Sequence, residues 1–297
     1  MADKQCPQQY YTRMASSAND KAKIADFIQD GDKVLDVGAG GGVLAELLLN
    51  RFPAVHITAL DASDTATERL NELKQRFADR LTVVQCDFFE YQPECRFDVV
   101  VFCSTLHELF SYCRYNGELY RPETVTAALK CAANLLVPGK GRIIIRDGIA
   151  SSHNPRVLVQ YHDAQLQELA ERFESEFEGF SLGIVHSPWG DIMPYNSMRE
   201  LLYTITWGPD SFDREVKEWY GYYSLADWKK EELRLCASCG LVLVHLEKYL
   251  QPGYKEHLQG KVSVLSAPRL HQDATIAAKP IEFPASNCLV VFSNQYV

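Results

Sequence analysis

The sequence has no run of about 18 apolar residues, so nothing in it reads as a membrane-spanning helix. Its start, Met1-Ala2-Asp3-Lys4-Gln5, lacks the apolar stretch that a secretory signal needs. Clusters of positive charge are missing too: Lys229-Lys230 is only a short pair, and the formal net charge is −9. Proteins that grip a phosphate backbone carry a basic patch or stripe, so nucleic acid is disfavoured as a partner. The nine cysteines are scattered, with one CxxC pair at Cys236 and Cys239. A zinc ribbon needs a second pair at suitable spacing, and none is there. The thiols read as buried or half-buried small hydrophobes in a reducing compartment, and no metal is expected. The expected setting is cytoplasmic.

What is present is ordinary globular material, 46% hydrophobic and 23% charged over 297 residues. That length suits one large α/β domain carrying a substantial insertion. Residues 1–30 read as an N-terminal helical segment, with apolar spacing from Ala22 to Phe27 and a stop near Gly31. Short apolar strands follow at Val34–Val37, Val55–Leu60, Leu81–Cys86, Val99–Cys103 and Arg142–Arg146. Helical patterns separate most of them, notably Val43–Leu49, Thr67–Phe77 and Glu123–Leu136. Near-continuous apolar strands alternating with helices imply a parallel sheet covered on both faces.

After Gly148 the alternation breaks. Residues 148–223 read as a helical lid inserted before the closing elements. Leu166, Leu169, Phe173 and Phe177 mark one helix there, and Ser197 with Glu200 has the spacing of a capping box that opens a second through Trp207. The segment holds thirteen of the chain's aromatics and twelve acidic against five basic residues. A cover of that composition suits an apolar, neutral or cationic ligand better than a polyanion. Regular order returns at Ser224, an N-cap with Asp227 three residues on. A helix to Gly240, a strand at Leu241–Leu246 and a last strand at Cys288–Phe292 follow.

Between the first strand and its helix lies Asp36-Val37-Gly38-Ala39-Gly40-Gly41-Gly42. Glycines there let backbone approach a ligand, and the helix N-terminus behind them presents unpaired N–H groups. A dinucleotide fingerprint, GxGxxG/A, would place its last small residue on Val43, which argues against that alternative. The segment resembles the first motif, DxGxGxG, of class I S-adenosylmethionine-dependent methyltransferases, over most of residues 21–147 and more loosely over 224–297. The resemblance implies a seven-stranded, mostly parallel Rossmann-like sheet with an antiparallel last strand, and S-adenosyl-L-methionine as cofactor. It implies that Asp36, Gly38, Gly40 and Gly42 hold the methionine part of the cofactor. Asp61, with Ala62 beside it, would take the ribose hydroxyls, a bidentate task that suits a carboxylate. Asp87 and Phe88 would meet the adenine, Cys103 would end the fourth strand beside the cofactor, and Arg13 is a weaker candidate for closing over its carboxylate.

Methyl transfer from a sulfonium is an in-line displacement in which alignment and desolvation do much of the work. It needs a base only for a protonated acceptor, and no metal intrinsically. His107, followed by Glu108, stands just after the fourth strand, where family members with small-molecule acceptors often carry a Leu-His pair. His107 is the candidate base, because an imidazole titrates near neutrality, and Glu108 either orients it or contacts substrate. Arg146, Asp147, Tyr161, Trp189 and Tyr203 are candidate acceptor-pocket residues. The Asp/Asn-Pro-Pro-aromatic motif of amino-methylating nucleic-acid enzymes is absent after this strand, as is a Pro-Cys nucleophile. A small organic molecule is therefore the expected acceptor, with a protein side chain or a non-catalytic cofactor-binding role as the alternatives.

Overall fold

In a computed structural model, residues 18–267, 270–271, 274–275 and 278–294 are described. One helical turn at Ala18–Lys21 runs into a 3-10 turn at Ala22–Phe27, where an α-helix was expected. The central elements follow in order: β1 (Lys33–Val37), α1 (Val43–Arg51), β2 (His56–Asp61), α2 (Asp64–Phe77), β3 (Leu81–Gln85), β4 (Val99–Cys103), α3 (Leu106–Tyr112), α4 (Pro122–Leu135) and β5 (Arg142–Gly148). The cover comprises β6 (Arg156–Tyr161), α5 (Ala164–Glu176), β7 (Val185–Ser187), β8 (Gly190–Pro194), α6 (Tyr195–Thr206) and α7 (Pro209–Glu215). The chain closes with α8 (Leu225–Cys239), β9 (Val242–Tyr249), α9 (Tyr254–Leu258), β10 (Val262–Ser266), a short ribbon of β11 (Leu270–His271) and β12 (Ala274–Thr275), and β13 (Asn287–Ser293).

The main sheet has seven strands in the order β3-β2-β1-β4-β5-β13-β9. Strands β1 to β5 pair in parallel, and β13 runs antiparallel to both β5 and β9. Strand β4, Val-Val-Val-Phe-Cys, is buried along its whole length, as a strand covered on both faces must be. Val100 and Phe102 pack against Leu106, Phe110, Leu129 and Trp228 on one face. Val99 and Val101 pack against Ile24, Leu44, Leu48 and Leu70 on the other. The edge strand β9 carries His245, Glu247 and Lys248, charges and a polar ring that discourage pairing with a further strand. The order reverses between β1 and β4, so the loops after these two strands open on one crevice, where such sheets bind ligands.

The cover departs from the helical lid expected from sequence. Strands β6, β7 and β8 join β10 in a second, antiparallel sheet, order β10-β6-β8-β7, packed on α5, α6 and α7. The signal was hidden because Val157-Leu158-Val159 is a three-residue buried run, too short to separate strand from helix by period. The expected capping box at Ser197 and Glu200 is also absent. Helix α6 begins two residues earlier, at Tyr195. There the Tyr195 amide donates to Pro155 O (2.8 Å) and the Asn196 amide to Asn154 Oδ1 (2.8 Å), so the first turn is satisfied from outside. At α8 the expected cap does form: Ser224 and Asp227 make a reciprocal capping box worth about 1 kcal/mol. Cys236 and Cys239 lie on α8, and Cys236 is exposed rather than buried.

Candidate active site

The glycine turn takes up the conformation its residues permit. Gly38, Gly40 and Gly42 all have positive φ (68°, 55° and 77°). The Gly38 amide donates to Leu60 O (2.8 Å) and the Gly40 amide to Asp61 Oδ2 (2.8 Å), so strand β2 holds the turn. Open space lies where a Gly40 side chain would stand. Asp61 Oδ1 accepts from the Ser63 amide (2.9 Å), which braces the start of α2. A carboxylate has about four lone-pair directions, so Asp61 keeps acceptor capacity for a ligand hydroxyl. Ala62 beside it is exposed.

Asp36 is 1% exposed, and its Oδ2 has no hydrogen-bond partner among the described residues. Burial pushes its carboxyl up to about 7, against the pull of Lys21. Burial in turn lowers the Lys21 ammonium. A buried carboxyl with an orphaned oxygen beside an open turn fits a cationic ligand, and methionine sulfonium and ammonium groups are of that kind. At the other end, Asp87 caps a short turn by accepting from the Phe89 amide (2.8 Å). Phe88 is buried edge-on against Phe102 (5.3 Å), and Phe89 is the exposed ring of the pair. Arg13 lies outside the described residues.

Strand alternation sends neighbouring residues to opposite faces of the sheet. Asp36, Cys103 and Arg146 share the face of α1 and α2. Arg146 there bonds Asp20, Ser104 Oγ and Gln251 Oε1 (2.9 Å for the last), an anchor for the N-terminal turn. Asp147 faces the other way and meets His107 twice. Its Oδ2 accepts from the His107 amide (2.9 Å), and its Oδ1 lies 2.6 Å from His107 Nδ1.

His107 Nε2 points at Glu218 Oε2 (3.4 Å), and its ring lies 4.4 Å from that of Tyr220, tilted by 33°. Tyr220 and Tyr112 hydroxyls donate to Glu218 (2.8 and 3.1 Å). Glu215 bonds Tyr220, and Arg214 pairs with Glu215 and Glu218. Burial alone would depress the His107 imidazole, but the Asp147 and Glu218 carboxylates outweigh it and hold it well above its ordinary value. Burial raises Glu218, and His107 and Arg214 reverse that, leaving it below its ordinary value. The unit is thus an imidazolium between two carboxylates, and only its carboxylates can accept another proton.

Glu200 fixes the roof above this row: its carboxylate oxygens accept from the Tyr220 and Gly221 amides (2.9 and 2.6 Å). The Tyr203 ring lies 5.4 Å from that of Tyr220, tilted by 35°, and its hydroxyl donates to Ser286 O (2.6 Å). Glu108, half-buried, has its carboxylate within 4.8 Å of both His107 and Glu218. The structure therefore brings together His107, Glu108, Asp147 and Tyr203. It places Tyr161 and Trp189 elsewhere, around a cavity of about 670 Å³ with Glu171, Glu174, His186 and Asp191. Glu215, Glu218 and Tyr220 were not singled out from sequence, and Glu200 was read only as half of a capping box. The Glu-x-x-Glu spacing at 215 and 218, amid aromatics, was the only local signal.

Residues 35–142 match the family model described as a methyltransferase domain. The chain is 39% identical over 72 residues to tRNA1(Val) (adenine(37)-N6)-methyltransferase of Vibrio campbellii, covering 24% of this chain and 30% of that one. It is 32% identical over 83 residues to the release factor glutamine methyltransferase of Rhodopirellula baltica, 27% of each chain. The chain thus spans less than a third of the length of these curated relatives. An O-methyltransferase family 2 protein from Planctomyces limnophilus, solved in complex with apigenin, shares the fold at a TM-score of 0.52 and 14% identity, over 99% of this chain and 62% of that one. No helix among the described residues is long and apolar enough to cross a membrane.

Two predictions concern the cofactor. Asp61→Ala is expected to weaken S-adenosylmethionine by roughly 1.5–3 kcal/mol, the range for hydrogen bonds to a charged group. Asp61→Asn, which keeps one acceptor, should lose less. Calorimetry giving wild-type affinity for a folded Asp61→Ala variant would remove Asp61 from the site. For Asp36 the free protein holds the proton below about pH 7, and a bound cation favours the carboxylate. Affinity should therefore fall about tenfold per pH unit below that point and level off above it. Asp36→Asn should flatten the slope; an unchanged slope would assign it to another group. Motif, turn geometry, sheet order and family match agree: the chain carries a class I S-adenosylmethionine-dependent methyltransferase domain.

Proposed function

We propose that the protein transfers the methyl group of S-adenosylmethionine to an oxygen or nitrogen of a small organic molecule held beneath the cover. The observation that carries this reading is the buried row Asp147–His107–Glu218 at the C-terminal ends of β4 and β5, roofed by the segment from Glu215 to Tyr223. A closed polar centre suits a small acceptor, whereas a peptide or a nucleic-acid strand needs an open groove. The segment after β4 reads Ser104-Thr105-Leu106, without the Pro-Pro motif of amino-methylating nucleic-acid enzymes. That difference, with the net charge of −9, weighs against extending the tRNA relative's substrate to this chain.

When bound, the cofactor supplies an electrophilic methyl group on sulfur. Asp36 and Asp61 hold its charged and hydroxylated parts. The roof excludes water, which strengthens the electrostatics of the row beneath it. An acceptor hydroxyl or protonated amine gives its proton to Glu218, whose negative charge Tyr112, Tyr220 and Arg214 stabilise. Asp147 keeps the His107 ring in register.

The test offers methyl-labelled S-adenosylmethionine with a cell extract separated by size. Label should pass into the fraction below 1 kDa. Label confined to protein or nucleic acid would overturn the reading.

A further inference from the structure

We propose that Lys21 holds the carboxylate at the methionine end of S-adenosylmethionine and makes the site selective for ligands that carry it. Lys21 ends the helical turn Ala18–Lys21, which packs against α1, the helix that the glycine turn opens. Its neighbour Asp20 bonds Arg146 on β5, so the turn is tied to the main sheet. Lys21 is 3% exposed, yet its ammonium makes no hydrogen bond and no ion pair among the described residues. Lysine is almost never so deeply buried without a partner, because desolvating an ammonium with three N–H donors is costly. This role concerns the cofactor alone and is the same for any acceptor.

The groups around the ammonium leave a negative charge to be supplied. They are Cys103, Arg146, Asp36 and Asp20. Burial raises the Cys103 thiol, so it stays neutral, and Asp20 is committed to Arg146. Asp36 holds its proton below about pH 7. Two cations, Lys21 and Arg146, thus face one full carboxylate and one that is only partly ionised near neutrality. Burial lowers the Lys21 ammonium, as it does for a cation that lacks a close anion. Asp36 and Cys103 stand at the ends of the paired strands β1 and β4, where the crevice opens. A ligand suited to this place carries an anion next to a cation. The methionine end of S-adenosylmethionine is such a group: its ammonium suits Asp36 and its carboxylate suits Lys21, each through charge-assisted hydrogen bonds.

The test is calorimetric titration of the full-length protein with S-adenosylhomocysteine and with its decarboxylated analogue, S-adenosyl-3-thiopropylamine. Wild-type protein should prefer the first by about tenfold or more, the usual worth of a hydrogen bond to a charged group. Lys21→Met should weaken S-adenosylhomocysteine by about that factor and leave the analogue within about twofold, which erases the preference. The ligand-free Lys21→Met variant should unfold at or above the wild-type denaturant midpoint, because an apolar chain of similar length replaces a buried cation without a close partner. Lys23→Met, two residues on and paired with Glu247 at the surface, should change neither affinity. Equal binding of the two ligands by wild-type protein would overturn the proposal without any variant. A preference that persists in folded Lys21→Met would overturn it as well. Equal weakening of both ligands with a lowered unfolding midpoint would make Lys21 a structural brace instead.

Discussion

Replacing His107 by alanine should lower turnover on the small-molecule fraction by about 10²–10⁴-fold, the usual range for losing proton transfer, because the His107 contact is what holds Glu218 ionised against its burial. S-adenosylmethionine affinity should stay within about twofold, because the His107 side chain bonds Asp147 and Glu218 rather than the residues proposed to hold the cofactor. The carboxylates left behind complicate the experiment. Asp147 would remain buried without its cation, and breaking a buried pair from one side costs about 3–5 kcal/mol. His107→Gln is therefore the companion variant, since an amide can still donate to Asp147 Oδ1. Both variants should bind cofactor, and both should be slow. If His107→Gln folds, binds cofactor and turns over at the wild-type rate, the row is a structural brace and the acceptor is activated elsewhere.

How far the sequence could be read depended on whether each feature was local. The strand–glycine–helix passage from Val34 to Leu49 is local: apolar run, acid, small residues and helix stand in one stretch. It specifies its own turn, and the later strands of the parallel sheet were placed by the same alternation. Asp61 was reachable because it closes the next strand in that alternation. The acceptor side is a different case. His107 and Asp147 are forty residues apart and meet only because β4 and β5 pair in parallel, with Cys103 beside Arg146. Glu218 joins them from the cover, and no periodicity announces that a helix end will lie over α3.

The second sheet escaped for a related reason. Its strand β10 arrives more than a hundred residues after β6, so the pairing partner of Val157–Tyr161 is invisible to a local window. Tyr161 and Trp189 were grouped with His107 by composition. The fold instead sends β6 away from the main sheet, and at about 3.3 Å per residue its far end is a full strand length from its start. Aromatic density marked out the cover segment but could not say which rings face the cleft. Glu200 shows the same limit: its spacing from Ser197 mimics a helix cap, while its side chain is committed to the Tyr220–Gly221 turn.

A single methyl group at Gly38 should be enough to disable the cofactor turn. Gly38 sits at φ 68°, a region that costs an L-residue roughly 1–2 kcal/mol. A Cβ built there would lie 2.7 Å from Thr105 Oγ1 and closer still to Thr105 Cγ2. Thr105 cannot swing aside freely, because its hydroxyl donates to Val37 O (2.9 Å) and it is 5% exposed. Overpacking of that kind costs about 1–3 kcal/mol, so Gly38→Ala should destabilise the protein by roughly 2–5 kcal/mol in denaturant unfolding. Cofactor affinity should fall with it, since the turn must open to admit the extra carbon. The pair Gly38→Ala/Thr105→Ser removes the clashing methyl and keeps the hydroxyl bond to Val37. It should recover only part of the overpacking loss, because the hydroxyl oxygen stays 2.7 Å from the added carbon, and it should leave the backbone cost. A Gly38→Ala variant with wild-type stability would mean that the turn and the loop after β4 are not in the contact that joins the two halves of the site. Full recovery in the double variant would instead mean that neither the positive φ nor the retained hydroxyl contact carries a cost at this position.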